Sequence, residues 1–203
     1  LGAYASGIFP MAEARDDPEV YWVDPQNRGI LPLDGFHISR SLARRMKRGD
    51  ITPTLDVAFN QIIDGCAARD ETWINDTIRV LMDQLFDAGY AHAFGLWQND
   101  ELIGGMYGLT IGGAFFGESM FSAAADGSKM TLAFAVDHLR RCGFTLFDTQ
   151  FLTPHLASLG AVEIPRADYH ARLAKALSEP ADILKYALET DPQAVVQRIT
   201  QTS

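Results

Sequence analysis

Between Gly89 and Ser122 the chain carries three strand-like segments in succession, and no other stretch limits its fold so tightly. Segments 91–97, 102–110 and 114–121 are rich in apolar and aromatic residues, and the turn signals Asn99-Asp100 and Gly112-Gly113 separate them. Connections this short join neighbouring antiparallel strands. A helix is expected over 128–141, capped by Ser128 and ended by Gly143, with a short buried strand over 144–147. The order strand–strand–strand–helix–strand implies an α+β fold with a mixed, largely antiparallel sheet.

The flanks read differently. Residues 11–35 contain Pro18, Pro25 and Pro32 and leave room for short strands at 20–23 and 29–31. Ser39 is the expected N-cap of a basic helix ending near Gly49. Thr54 is the expected cap of a second helix through Ala68, with Leu55, Ala58, Phe59, Ile62, Ile63 and Cys66 at helical spacing. Asn75 opens a third, with Ile78, Leu81, Met82, Leu85 and Phe86 on one face and a stop at Gly89. Thr153-Pro154 predicts an N-cap with proline at the first helical position. Further helix is expected from Ile164, and a helical tail over 181–200 broken at Asp191-Pro192. No apolar run approaches the length of a membrane span. Leu1-Gly2-Ala3-Tyr4 lacks the basic and apolar regions of a secretory leader, and a preceding segment is expected. Cys66 and Cys142 have no metal-ligand spacing and read as reduced packing residues of a cytoplasmic protein.

Chemistry concentrates in two places. Glu118 sits inside the aromatic run 115–121, and Asp148 and Gln150 follow the apolar pair Leu146-Phe147. Carboxylates in such surroundings are paired, hydrogen-bonded or functional. They either cap loops or mark an apolar cleft with a few placed polar groups. The net charge of −9 argues against broad nucleic-acid binding by the whole surface. Yet residues 37–48 hold five Lys/Arg and no acid: Arg40, Arg44, Arg45, Lys47 and Arg48. Such an island is either a solvated helix face or a local grip on phosphates.

Several motifs recur together: Gly7-Ile8-Phe9-Pro10, His37-Ile38-Ser39-Arg40-Ser41, Thr72-Trp73-Ile74, Gly104-Gly105-Met106-Tyr107-Gly108, Gly117-Glu118-Ser119-Met120-Phe121-Ser122, Ser128-Lys129, Asp148-Thr149-Gln150, and His155 to Ala161 with Ile164-Pro165-Arg166. In this order and spacing the chain resembles the leucyl/phenylalanyl-tRNA–protein transferases, over about residues 1–175. The resemblance implies transfer of Leu or Phe, and sometimes Met, from Leu-tRNA or Phe-tRNA to proteins with an N-terminal Arg or Lys, marking them for degradation. It implies a GCN5-related acetyltransferase-like domain over 37–177, a smaller, partial N-terminal α+β domain over 1–36, a C-terminal helical tail over 178–203, and a segment of a few tens of residues before Leu1. No cofactor, metal or membrane is expected.

The resemblance also assigns residues. Asp148 and Gln150 fall at the reaction centre, where the ester is aminolysed. A neutral amide is a poor base, so Gln150 is expected to orient the attacking amine through its carbonyl oxygen, with Asp148 orienting Gln150 and favouring positive charge on the amine. Glu118 is expected to hold either the aminoacyl α-amine or the acceptor's cationic side chain. Met106, Phe115, Gly117, Met120, Leu132 and Phe147 match the aminoacyl pocket, where flexible methionines suit both Leu and Phe. The five basic residues are expected on tRNA phosphates, and Trp73 either stacks on the terminal adenine or belongs to the core. Met11 and Thr153 stand where family members often carry Trp and Asn. Two rivals are an acyl-CoA-dependent N-acetyltransferase and a non-catalytic tRNA-binding module. Against the first, the loop before Ser128 lacks a glycine-rich pyrophosphate pattern and carries Asp126. Against the second, a binding module has no use for Glu118, Asp148 and Gln150 around an apolar pocket.

Overall fold

The computed structural model describes residues 1–69 and 72–201. In chain order its elements are α1 (Gly2–Ala5), β1 (Phe9–Met11), β2 (Tyr21–Val23), β3 (Asn27–Ile30), α2 (Arg40–Met46), β4 (Thr52–Leu55), α3 (Phe59–Ala67), α4 (Asp76–Asp87), β5 (Ala91–Gln98), β6 (Glu101–Ile111), β7 (Ala114–Ser122), α5 (Gly127–Arg141), β8 (Leu146–Gln150), α6 (Pro154–Ala157), β9 (Val162–Pro165), α7 (Arg166–Ser178) and α8 (Pro192–Thr200). Seven strands form one sheet in the order β4-β5-β6-β7-β8-β3-β9, and β1 and β2 form a separate pair. Every pairing in the large sheet is antiparallel except β7 with β8.

Strand alternation divides the core in two. Phe94, Leu96, Met106, Phe115 and Phe147 face one side, where α2, α5 and α8 cover them. Ala93, Tyr107, Leu109, Phe116 and Leu146 face the other, under α3, α4 and α7. The adjacent Phe115 and Phe116 thus serve opposite faces, as the two-residue period of a strand requires. With both faces covered, the central strands need no polar face, so β5 reads as a nearly continuous apolar run.

The expected meander is present. Asn99 and Asp100 both take positive φ and close a two-residue hairpin between β5 and β6. Ser39, Asn75 and Thr153 cap α2, α4 and α6 through side-chain oxygens. Other expectations are corrected. The helix expected from Thr54 starts at Phe59, because Thr52–Leu55 pairs with β5 as an edge strand, where Pro53 is tolerated. Asp56 then turns the chain at φ 60 and accepts the Ala93 N–H. Ser128 lies inside α5 rather than capping it; the N-cap is Asp126, and the Ser128 N–H donates to Ser122 Oγ on β7. The strand expected over 144–147 spans Leu146–Gln150 and includes both polar residues. Val162–Pro165 is a strand on β3, so helix resumes only at Arg166. In the tail, only α8 is helical; before it, His138 Nε2 holds the Ile183 carbonyl at 2.7 Å.

Candidate active site

β7 and β8 pair at Ala114–Leu146, Phe115–Phe147 and Phe116–Asp148, and then part. β7 stays with β6, while β8 stays with β3. A cleft of about 500 Å³ opens between them, within the range of small-molecule sites. On β7 a bulge prepares one wall. Tyr107 faces Ser119 and Gly108 faces Gly117, so Glu118 is the extra residue. Such a bulge re-aims a side chain. Glu118 accordingly lines the cleft with Gly117 and Met120.

The facing wall is a strained turn. Gln150 takes φ 63, and the Phe151 N–H donates to the Thr149 carbonyl at 2.7 Å. This three-residue turn is costly for a residue with a side chain, and such strain collects at functional sites. Two contacts hold it. The Gln150 N–H donates to Asp148 Oδ1 at 2.8 Å. Gly29 of β3 lies against it, and a Cβ there would sit 2.6 Å from the Phe151 carbonyl carbon, so only glycine allows the approach. Gln150 then sends Nε2 to Glu118 Oε1 at 3.0 Å, and its own carbonyl oxygen accepts no bond from the described residues.

Asp148 stands behind this wall, 0% exposed and outside the cleft lining. Arg28 Nε and Nη2 donate to its two oxygens at 2.8 and 2.6 Å. The Tyr169 hydroxyl donates to Oδ2 at 2.8 Å. Arg28 is itself buried, donates to the Gly7 carbonyl, and lies between the rings of Phe9 and Tyr169, 4.5 and 4.4 Å from their centroids. Asp148 and Gln150 are therefore coupled through the backbone, not as two side chains on one strand face.

The apolar half of the cleft contains Met106, Met120 and Phe147, with Met106 and Met120 directly paired across β6 and β7. Phe115 and Leu132 are fully buried and do not line it; Phe115 packs edge-on against Phe147 with centroids 4.9 Å apart. Trp73 lines the cleft and packs against the core. Arg40, Arg44, Lys47 and Arg48 are exposed on and just beyond α2, whereas Arg45 is drawn to Asp50 at 2.6 Å.

Three of the residues lining the cleft carry a buried polar atom with no partner among the described residues: Glu118 Oε2, Thr149 Oγ1 and His155 Nε2. Burial pushes the Glu118 carboxyl up to about 8, with Asp148's charge adding to it and Tyr4, Arg28 and Gln150 opposing. The Tyr4 hydroxyl stands beside this carboxyl without reaching hydrogen-bonding geometry to Oε2. Burial, then the charge of Lys129, lowers His155. Arg28, Tyr169, Tyr4, Thr149 and His155 escaped the sequence reading. Thr149 and His155 stand in the sequence motifs without a role, and Arg28 left no local signal.

Two family models match the chain. The leucyl/phenylalanyl-tRNA protein transferase N-terminal domain matches residues 1–26, and leucyl/phenylalanyl-tRNA protein transferase matches residues 30–174. A leucyl/phenylalanyl-tRNA–protein transferase of Cereibacter sphaeroides is 61% identical over all of this chain and 95% of its own length. That of Ruegeria pomeroyi is 59% identical over all of this chain and 96% of its own. Among solved structures, the crystal structure of FemX matches with a TM-score of 0.51 at 11% identity, covering 80% of this chain and 65% of that one, a likeness of fold.

Proposed function

The chain belongs to the leucyl/phenylalanyl-tRNA–protein transferase family, and from that premise we propose that the β7–β8 cleft transfers Leu or Phe from Leu-tRNA or Phe-tRNA to the N-terminal Arg or Lys of acceptor proteins, marking them for degradation in the cytoplasm. Aminoacyl transfer from tRNA to protein is the reaction of the family. One observation carries its placement here: an apolar pocket of Met106, Met120 and Phe147 adjoins the Gln150–Glu118 pair. The pocket takes the aminoacyl side chain, and the free carbonyl oxygen of Gln150 receives an N–H of the attacking amine. With the ester already activated, positioning of this kind supplies much of the rate, up to about 7–11 kcal/mol. The core is read as GCN5-related acetyltransferase-like, supported by its strand order and the parting of β7 from β8. Asp126 at the N-cap of α5 puts a carboxylate where an acyl-CoA enzyme seats pyrophosphate, which favours the tRNA substrate.

The test is transfer of labelled Phe or Leu from tRNA to an Arg-terminated peptide, with both donors in competition. Met120→Phe is expected to depress Phe transfer more than Leu transfer, because a pocket methylene is worth about 1–3 kcal/mol. An unchanged product ratio would remove Met120 from the pocket.

A further inference from the structure

Within the transfer reading, the amine must shed a proton as it attacks, and something on the cleft must take it. The neutral Gln150 amide cannot. Asp148 is no better placed. Its Oδ1 accepts from Arg28 Nε and the Gln150 N–H, its Oδ2 from Arg28 Nη2 and the Tyr169 hydroxyl, and no part of it is exposed. Glu118 differs in each respect. It lines the cleft, the β7 bulge re-aims it, and only one oxygen is tied, to Gln150 Nε2. Its second oxygen is buried and has no partner among the described residues.

We propose that Glu118 is the proton carrier of the transfer, and that Asp148, with Arg28 and Tyr169, is a positioning group that sets the Gln150 turn. The acceptor enters as a free amine, its ammonium proton lost to solvent. Its nitrogen forms the bond to the ester carbonyl carbon while Glu118 Oε2 takes one N–H proton. When the bond from that carbon to the ribose oxygen breaks, the same proton passes to the leaving oxygen, and Glu118 returns to a carboxylate. The products are an amide and a free hydroxyl. Glu118's raised value of about 8 makes its carboxylate a stronger base than an ordinary one, suited to take the proton that the nitrogen can release once its bond to carbon is forming. Among the described residues, Tyr4 from α1, Tyr107 from β6, and Arg28 and Asp148 from behind are the titratable groups that act on it, and Arg69 and His155 line the same cleft.

The experiment is single-turnover transfer of Phe from Phe-tRNA to a saturating Arg-terminated peptide. Glu118→Gln keeps the shape and is expected to slow the chemical step by about 10²- to 10⁴-fold with little change in tRNA affinity. Glu118→Ala should regain part of the lost rate as sodium formate is added at constant ionic strength, since formate supplies a carboxylate in the space vacated. Asp148→Ala and Gln150→Ala should not respond. Three results would overturn the assignment: a Glu118→Gln step within about threefold of wild type, no formate response in folded Glu118→Ala, or formate rescue of Asp148→Ala instead. If the wild-type protein itself transfers no Phe, the transfer reading falls and takes this proposal with it.

Discussion

Removing the guanidinium of Arg28 would leave Asp148 buried with two of its four hydrogen bonds gone. An uncompensated buried carboxylate costs about 3–5 kcal/mol. Arg28→Met is therefore expected to lower stability by that amount in urea titrations, and to reduce transfer because the Gln150 turn loses its fixed acceptor. Unchanged stability would mean that Asp148 finds another partner. Glu118 makes the opposite prediction. Its native value of about 8 lies above the ordinary glutamate value of 4.5, so between those pH values the native state holds a proton that the unfolded chain has released. Stability then falls as pH rises from about 4.5 to about 8. Glu118→Gln should match wild type near pH 4.5 and exceed it by up to a few kcal/mol at pH 8–9, or several degrees in Tm. Parallel Tm curves for the two proteins would show that Glu118 ionises freely. The carboxylates were legible in sequence because they interrupt apolar runs. Arg28 was not, because its partner lies 120 residues away and no local pattern encodes that pairing.

At the scale of elements, α8 reads from sequence only as part of a helical tail, and the structure makes it part of the core. Its Val195, Val196 and Ile199 complete the core over α5, and Arg198 holds the buried Asp137 at 2.7 and 2.8 Å. Ile199→Ala is expected to cost about 2–5 kcal/mol by denaturation while leaving the relative rates of Leu and Phe transfer unaltered. A loss of under 1 kcal/mol would mean that α8 is only loosely seated. Most elements were readable where a signal is local. The Asn99-Asp100 hairpin and the caps Ser39, Asn75 and Thr153 each act within a few residues. Misreadings arose where a distant partner decides. Thr54 and Leu55 fit the start of a helical pattern that runs on through 58–66, yet the exposed edge of β5 recruits residues 52–55. The hydroxyl that accepts a backbone N–H at the start of α5 belongs to Ser122, and the N–H it takes is that of Ser128, the residue expected to cap. Residues 162–165 become strand only because β3 offers an edge.

For the whole molecule, a net charge of −9 faces a polyanionic substrate. Arg40, Arg44, Lys47 and Arg48 recur at helical spacing on one side, away from the buried Leu42 and Met46, and concentrate positive charge there. Replacing Arg40, Arg44 and Arg48 by Gln is expected to weaken tRNA binding and flatten the log–log salt dependence by about 0.7–0.9 per lost contact. An unaltered slope would leave α2 a solvated face. The position of β3 has a different consequence. It is flanked on one edge by β8 and on the other by β9, so a segment translated early lies between two translated late. The chain cannot finish its sheet by adding strands outward as the ribosome delivers them. Residues 27–30 must wait with both edges open until β8 has emerged, when Arg28 and Asp148 can meet and support the Gln150 turn, and their second edge is covered only when residues 162–165 follow. A strand made early is thus seated only by strands made late, and the Gln150 turn gains its support from β3 only after β8 has left the ribosome.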